Sequence, residues 1–387
     1  MQAREKCSGT CVIEKGVYNA RDMSISDYVN PFVLDLVAYV PGKPIEETAR
    51  ELGLKPDEIV KLASNENSLG PSKKAVKAMK EAAEGMHIYP DGAAFELRSA
   101  IARKHGVAFD ETVVGTGSSE VIELICHAML NPQVEVVAAR HAFSMYPVMA
   151  QLFGAQYVEV PNKPDWTHDL NATLAAITPQ TRLVFITNPT NPLGTVVTQQ
   201  EIDSFMEKVP SHVLVCFDEA YFEFAHAPVD TVKFVQQGRN AIVLRTFSKV
   251  YGLAGVRVGY GLAPAEVASM LHKTRAPFNL NALAQVAALA AIDDEEHVQR
   301  TVAMTRNGMM AYEEAFRSMG LEWIPSQGNF VLVKVGEGRK VFQEMLAKGV
   351  ITRAQDGYGL PEYLRITVGT VEQNARCIEV LREVTVR

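Results

Sequence analysis

Lys249 directly follows an apolar run in the segment TFSKVYGLAGVRVGY. An unprotonated lysine amine can form a covalent imine, and Arg257, eight residues later, can hold an anion through two parallel N–H donors. Ser248 adds a hydroxyl beside the lysine. A surface lysine at the end of a strand would have the same sequence pattern. This segment alone therefore leaves both interpretations open.

A carboxylate stands near the end of a second apolar run, VLVCFDEAY. Ligands bind at the carboxyl ends of strands in open α/β sheets, and a carboxylate buried there needs a partner to offset its lost hydration. Asp218 would suit a protonated ring nitrogen, and Tyr221 would reach an oxygen on the same ring. A carboxylate that caps a helix is the alternative.

Three further segments have residues suited to a planar, phosphorylated ligand. TNPTNPLG can hold the Asn191 amide in a rigid turn, and GTGSSE presents Ser118 and Ser119 at the start of a predicted helix, where backbone N–H groups bind phosphate. Phe143 in HAFSMY offers a flat face for stacking. A plain turn, a helix cap and core packing are the respective alternatives.

The elements that must position these residues alternate along the chain. Nearly all-apolar runs rich in β-branched residues predict strands at 134–139, 183–187, 213–217, 241–246 and 256–261. Helical patterns lie between them at 118–130, 144–152, 199–208 and 265–273. This order predicts an α/β domain with a large, mostly parallel sheet and helices on both faces.

The pattern changes after about residue 290. A long amphipathic helix is predicted at 297–319, followed by strands at 330–335, 350–353 and 364–368, which indicates a smaller α+β domain. The predicted organisation is an N-terminal arm at 1–31, expected to be flexible, a segment at 32–60 that joins the small domain and dimer contacts, a large domain at 61–290 and a small domain at 291–387.

Composition narrows the functional classes. The chain has 387 residues and a formal charge of −7, which argues against nucleic-acid binding. The apolar stretch 283–292 is too short to cross a membrane and predicts a buried helix, and the first thirty residues lack a secretory signal, so we expect a cytoplasmic protein. The five cysteines form neither a disulfide framework nor a zinc pattern, Cys7 and Cys11 included, and we expect no metal.

The motifs occur in one direction along the chain, each at a predicted sheet edge, and this order resembles the fold type I pyridoxal-phosphate enzymes, especially the class II aminotransferases. Six further segments are similar to the histidinol-phosphate aminotransferase family: YVPGKPIE, KLASNENSLGP, YPD, RAPFNLN, QGNF and LRITVGT. The resemblance covers residues 32–384. It departs at Ser68 and His141, which stand where that family usually has proline.

The resemblance implies a bound pyridoxal 5′-phosphate and a role for each matching residue. Lys249 would form the covalent link and move the proton, Asp218 would pair with the ring nitrogen, and Phe143 would stack on the ring. Asn191 and Tyr221 would bind the ring oxygen. The phosphate would be held by Ser118, Ser119, Ser248, Arg257 and, from the neighbouring subunit of a homodimer, Tyr89.

The same resemblance implies the substrates. Arg353 and Arg365 would bind the substrate anion, Tyr39 would support it, and Asn329 would lie near the amino-bearing carbon. The expected reaction converts histidinol phosphate and 2-oxoglutarate to imidazole-acetol phosphate and glutamate, so the partners are a small-molecule amino donor and a keto acid, with no nucleic acid and no membrane. Aromatic amino-acid transamination is the main alternative. Threonine-phosphate decarboxylation and a non-enzymatic regulator are lesser ones.

Overall fold

The computed structural model describes residues 24–36 and 44–385. Its strands are β1 Val60–Lys61, β2 Thr112–Gly115, β3 Glu135–Ala139, β4 Gln156–Val160, β5 Thr181–Thr187, β6 Leu214–Asp218, β7 Ala241–Thr246, β8 Gly259–Leu262, β9 Trp323–Ile324, β10 Phe330–Lys334, β11 Val350–Ile351, β12 Arg353–Ala354 and β13 Tyr363–Thr367. Its helices are α1 Pro31–Leu34, α2 Ile45–Leu52, α3 Lys73–Ala82, α4 Phe95–His105, α5 Ser118–Met129, α6 Met145–Leu152, α7 Leu170–Ala175, α8 Gln199–Lys208, α9 Val232–Gln236, α10 Ala265–Thr274, α11 Ala282–Ala291, α12 Glu295–Met319, α13 Gly338–Ala347 and α14 Val371–Thr385.

Seven strands form the central sheet in the order β2-β8-β7-β6-β5-β3-β4. The pairs from β7 to β4 are parallel, whereas β8 runs antiparallel to both β2 and β7. The predicted α/β class and mostly parallel sheet are therefore confirmed. The predicted strand at 256–261 is wrong at its start, because residues 254–256 form a 3₁₀ turn and Arg257 adopts a left-handed backbone with φ 60°.

The central sheet is buried on both faces, which explains its nearly continuous apolar strands. Along β6, Val215 and Phe217 pack into one apolar cluster while Leu214 and Cys216 pack into a second cluster on the opposite face. Because successive side chains of a strand point to opposite faces, each strand contributes to both layers. The sheet is thus held rigidly between two layers of helices.

The C-terminal part has its own antiparallel sheet, in the order β12-β13-β10-β9. The predicted long helix is α12, and the single strand predicted at 350–353 is divided into the short β11 and β12. β11 pairs in parallel with β1, and Leu62 packs into the apolar cluster that contains Tyr312 and Phe316 of α12. The proposed domain boundaries stay predictions.

The structure defines contacts for α11 and for the N-terminal residues 24–36. The alanine-rich α11 packs against α3, as expected of a buried helix, with Ala284 and Ala288 fully covered. Residues 24–36 form a 3₁₀ turn, Ile25–Tyr28, and α1, with the Phe32 ring against Gly154. Residues 1–23, including Cys7 and Cys11, lie outside the described residues. None of the described helices has the length and apolar character needed to cross a membrane.

The central packing predicts a large loss of stability when one side chain of β6 is truncated. Phe217 is fully buried and its ring stacks on Phe234 with centroids 5.9 Å apart. Phe217→Ala should lower the free energy of unfolding by about 3–5 kcal/mol in urea titrations, because it removes apolar contacts and leaves a cavity. Met310→Ala, at a side chain 60% exposed, is the control and should change it little. Equal effects would contradict the assignment of Phe217 to the core.

Candidate active site

The parallel strands bring distant segments together at one edge of the central sheet. Thr187 at the end of β5 pairs with Asp218 at the end of β6, which pairs with Leu244 near the end of β7. The turn with Asn191 follows β5, and Lys249 follows β7. The structure thus brings Asn191, Asp218 and Lys249 to the carboxyl edge of one sheet.

Asp218 is a buried acid at this edge, with only 3% of its surface exposed. Its Oδ2 accepts a hydrogen bond from the Tyr146 hydroxyl at 2.7 Å, while its Oδ1 is buried and has no hydrogen-bond partner among the described residues. Burial raises the pKa of Asp218, and the hydrogen bond from Tyr146 opposes that shift. A buried carboxylate oxygen without a partner is costly, so this atom is suited to a cationic N–H donor.

Tyr146 is a site residue that the sequence reading missed. Its ring stacks on Phe185 with centroids 3.9 Å apart and lies perpendicular to the Phe143 ring, with centroids 5.8 Å apart. Since its hydroxyl donates to Asp218, its oxygen accepts from the Thr187 hydroxyl at 2.8 Å. Its position one helical turn after Phe143 was the available signal, because that spacing puts both rings on one side of the chain.

Tyr221 is oriented by Asn65, a second residue that the sequence reading did not single out. Asn65 Nδ2 donates to the Tyr221 hydroxyl oxygen at 2.8 Å. Asn65 adopts φ 56° and is 1% exposed, and its backbone N–H donates to Thr367 Oγ1 at 2.9 Å. Burial raises the pKa of Tyr221, so the phenol keeps a proton that it can donate.

Arg365 lies next to Asn191 although 174 residues separate them. Its Nη1 donates to Asn191 Oδ1 at 2.6 Å and its Nη2 donates to the Ala63 carbonyl at 2.8 Å. Arg353 of β12 pairs directly with Arg365 of β13, so both side chains leave the same face of the C-terminal sheet. Two arginines on one face of neighbouring strands would suit an anion site, because guanidinium groups bind anions through paired N–H donors.

Lys249 lies among these groups. Its Nζ donates to the Ser64 carbonyl at 3.2 Å and stands 5.6 Å from the centroid of the Tyr221 ring. Loss of hydration, and after it the positive charge of Arg365, lowers the pKa of Lys249 to about 8. A substantial share of this amine is therefore neutral at physiological pH, which a nucleophile or general base needs.

A cradle for an anion lies at the start of α5. Arg257 Nη1 donates to Ser248 Oγ at 3.3 Å, and a Cβ on Gly117, where φ is 79°, would lie 2.3 Å from Arg257 Nη2. A Cβ on Gly259 would lie 2.2 Å from the backbone nitrogen of Ser118. The two glycines thus let the guanidinium, the helix amides and the Ser118 and Ser119 segment approach one another.

The remaining predicted site residues lie in different places: one is in the buried cluster, one is exposed and one is outside the described residues. Asn329 Nδ2 donates to the Asn65 carbonyl at 3.0 Å, and its buried Oδ1 has no partner among the described residues. Tyr89 is 78% exposed and stacks on Phe278 at 4.7 Å, outside the cluster formed by one chain. Tyr39 lies outside the described residues. The described residues hold no group of three or more His, Cys, Asp or Glu side chains that could bind a metal.

Comparisons with known proteins agree with one another. The family model described as aminotransferase class I and II matches residues 57–381. A histidinol-phosphate aminotransferase of Akkermansia muciniphila is 74% identical over 94% of this chain and 100% of its own length. A histidinol-phosphate aminotransferase 2 of Pseudomonas fluorescens is 48% identical over 92% and 97%. The solved histidinol-phosphate aminotransferase of Sinorhizobium meliloti, in complex with pyridoxal-5′-phosphate, has a TM-score of 0.84 at 26% identity, covering 93% and 100%.

The site predicts that the ammonium form of Lys249 has a lowered pKa. The rate of Lys249 acetylation by acetic anhydride, followed by peptide mass spectrometry, should show a midpoint near pH 8, since only the neutral amine reacts. Arg365→Met should raise that midpoint, because a positive charge that disfavours the ammonium form is removed. Arg382→Met, on the distant α14, is the control. A midpoint near the ordinary value of 10.5 in the unmodified protein would contradict this account of the site.

Proposed function

Because this chain belongs to the class I and II aminotransferases, we propose that it binds pyridoxal 5′-phosphate and transfers the amino group of histidinol phosphate to 2-oxoglutarate. The transaminase activity follows from the family, and the cofactor and substrates are the proposal. The substrate is supported by the name of the 74% identical Akkermansia relative, whose whole length aligns with this chain.

The observation that carries the cofactor proposal is the buried Oδ1 of Asp218, for which residues 24–36 and 44–385 supply no hydrogen-bond partner. A protonated pyridine nitrogen would supply the missing N–H donor and a positive charge, which together offset the burial of the carboxylate. When bound, pyridoxal phosphate supplies an electron sink for negative charge on the amine-bearing carbon of the substrate. Asp218 would hold the proton on that nitrogen, and Tyr146 would fix the orientation of the carboxylate.

Two donors would serve a ring oxygen of the cofactor. Asn191 uses its Oδ1 to accept from Arg365, which leaves its Nδ2 to donate. Tyr221 accepts from Asn65, which leaves its O–H to donate. Phe143, set by its edge contact with Tyr146, would pack against the face of the ring.

Lys249 would take the proton from the substrate carbon and return it to the cofactor side. Its lowered pKa of about 8 keeps a share of the amine neutral and able to accept that proton. The cofactor phosphate would occupy the cradle at the start of α5, where Ser118, Ser119, Ser248 and Arg257 lie. A planar guanidinium held against glycine can offer two parallel donors to phosphate, which a lysine could not.

Arg353 and Arg365 would bind the anionic end of each substrate in turn. Histidinol phosphate has no carboxylate on its reactive carbon, so the arginines would take its phosphate in one half-reaction and a glutamate carboxylate in the other. The burial of Arg365, at 8% exposure, and its bond to Asn191 support a role at the reacting centre. Asn329, joined to Asn65, would border the same space, and Tyr39 would support the phosphate.

The assembly is also a proposal. The exposed stack of Tyr89 and Phe278 would suit a contact with a second copy of the chain, with Tyr89 reaching the phosphate of the neighbouring site. A homodimer with shared sites and a cytoplasmic location stay predictions.

Single turnovers test the substrate directly. The protein loaded with pyridoxal phosphate should lose its visible absorbance band rapidly when mixed with histidinol phosphate. Phenylalanine should react at least about tenfold more slowly, since it lacks the phosphate that the two arginines would bind. Threonine phosphate should release no carbon dioxide. Glutamate should also remove the band, because it is an amine that reacts with the same form of the enzyme, and 2-oxoglutarate should then restore the band and complete the cycle.

Two outcomes would change the proposal. Faster conversion with phenylalanine would assign the protein to aromatic amino-acid transamination, and carbon dioxide from threonine phosphate would assign it to decarboxylation.

Lys249→Ala is the control for the reacting group and should slow conversion by roughly 10²–10⁴-fold with every substrate, because the positioned base is lost. Full turnover by that variant would contradict the role of Lys249.

A further inference from the structure

We propose that His141, Ser144 and Tyr358 form a clamp that positions Arg353 for the anionic end of the substrate. The three residues, called here the His141 clamp, join the loop after β3 to the turn after β12. This inference rests on the proposed function, because it assigns a positioning role at the proposed anion site. It concerns residues that make no proposed contact with the cofactor.

The clamp is made of two hydrogen bonds between segments more than 200 residues apart. His141 Nδ1 donates to the carbonyl oxygen of Tyr358 at 2.9 Å. The Tyr358 hydroxyl donates to Ser144 Oγ at 3.3 Å. The same turn thus meets the loop through both its backbone and its side chain. His141 is itself tied back to the sheet edge, since its N–H donates to Asn162 Oδ1 at 3.2 Å.

On the side of the C-terminal sheet, the turn that carries Tyr358 is wound around Gln355. The Gln355 carbonyl accepts from the Tyr358 N–H at 3.0 Å and from the Leu360 N–H at 3.1 Å. Gln355 is fully buried, and its Nε2 donates to the Arg353 carbonyl at 3.0 Å. A displacement of Tyr358 is therefore passed through Gln355 to the backbone of Arg353.

On the other side, the clamp reaches the ring-binding part of the site. Ser144 directly follows Phe143, and the Phe143 carbonyl accepts from the Tyr146 N–H at 3.1 Å. Tyr146 in turn donates to Asp218. The clamp therefore fixes the distance between the residues proposed for the ring and the arginine proposed for the anion. That distance matters for any substrate with its amine and anion at a set separation.

Trp166 borders the clamp and makes it measurable. Its ring lies 5.7 Å from the His141 ring and 6.0 Å from the Tyr363 ring, between centroids. Its backbone is held at φ 68°, with its carbonyl accepting from Thr195 Oγ1 at 3.0 Å. A left-handed backbone on a bulky residue is uncommon and persists only where its surroundings over-determine it. The chain has two tryptophans, so Trp323→Phe leaves Trp166 as the only one.

The first test is kinetic and uses the loaded enzyme. His141→Ala should raise KM for histidinol phosphate and for 2-oxoglutarate by about three- to tenfold, the effect of one lost hydrogen bond, while kcat changes much less. His272→Ala is the matched control, because this half-buried histidine also bonds a backbone carbonyl, that of Thr112, at 3.1 Å. Its KM values should stay at those of the unmodified enzyme.

A double-mutant cycle separates positioning from a general loss of structure. If the clamp acts through Arg353, His141→Ala should raise KM little further in an Arg353→Ala background.

In the Trp323→Phe protein, Tyr358→Phe should increase acrylamide quenching of Trp166, although the substituted hydroxyl bonds Ser144 and not the tryptophan. This second readout needs no turnover and no substrate.

The outcomes distinguish the clamp from the proposed function. The clamp would be overturned, and the anion site would stand, if Arg353→Ala raised KM strongly while His141→Ala left KM unchanged. The same conclusion would follow if the effects of the two substitutions on KM were fully additive. An Arg353→Ala variant with unchanged KM for every anionic substrate would overturn the anion site and the clamp with it. Unchanged Trp166 quenching in Tyr358→Phe would contradict the mechanical link between the turn and the loop.

Discussion

The burial of one carboxylate is the constraint on which the site depends. Asp218 ends a strand that is covered on both faces, so water cannot compensate its charge, and Tyr146 satisfies only one of its two oxygens. A cationic donor would complete this arrangement and offset the burial of the carboxylate. The parallel sheet, the stacked Tyr146 ring and the Thr187 hydroxyl hold the acid in place. The scaffold is rigid so that this acid can remain ionised when its partner is bound.

A second dependence links the two sheets. Arg365 of the C-terminal sheet reaches Asn191 of the central sheet, and Thr367 of the same strand holds the backbone of Asn65. The proposed substrate recognition and cofactor orientation would therefore share side chains, because the amide that would bind the ring oxygen accepts a hydrogen bond from the arginine that would bind the anion. The charge of Arg365 also lowers the pKa of Lys249, so the proposed anion recognition and proton transfer would be electrostatically coupled.

The sequence predicted the residues whose chemistry is local and missed those whose partners are distant. Lys249 and Asp218 were found because each ends an apolar run at a sheet edge. Asn65 was missed because its role depends on a left-handed backbone and on Tyr221, 156 residues away. Tyr146 could have been found from its helical spacing to Phe143. The antiparallel direction of β8 follows from the turn at Arg257, which apolar patterning does not reveal.

The protonation state of the bound cofactor tests the central claim most directly. Nitrogen-15 NMR of the protein loaded with pyridoxal phosphate labelled at the ring nitrogen should show the chemical shift of a protonated pyridine across the neutral pH range, because Asp218 supplies the charge that keeps the proton there. Asp218→Asn should show the shift of an unprotonated ring. An unprotonated nitrogen in the unmodified protein would contradict the account, since the buried oxygen of Asp218 would then lack the cation that its environment requires.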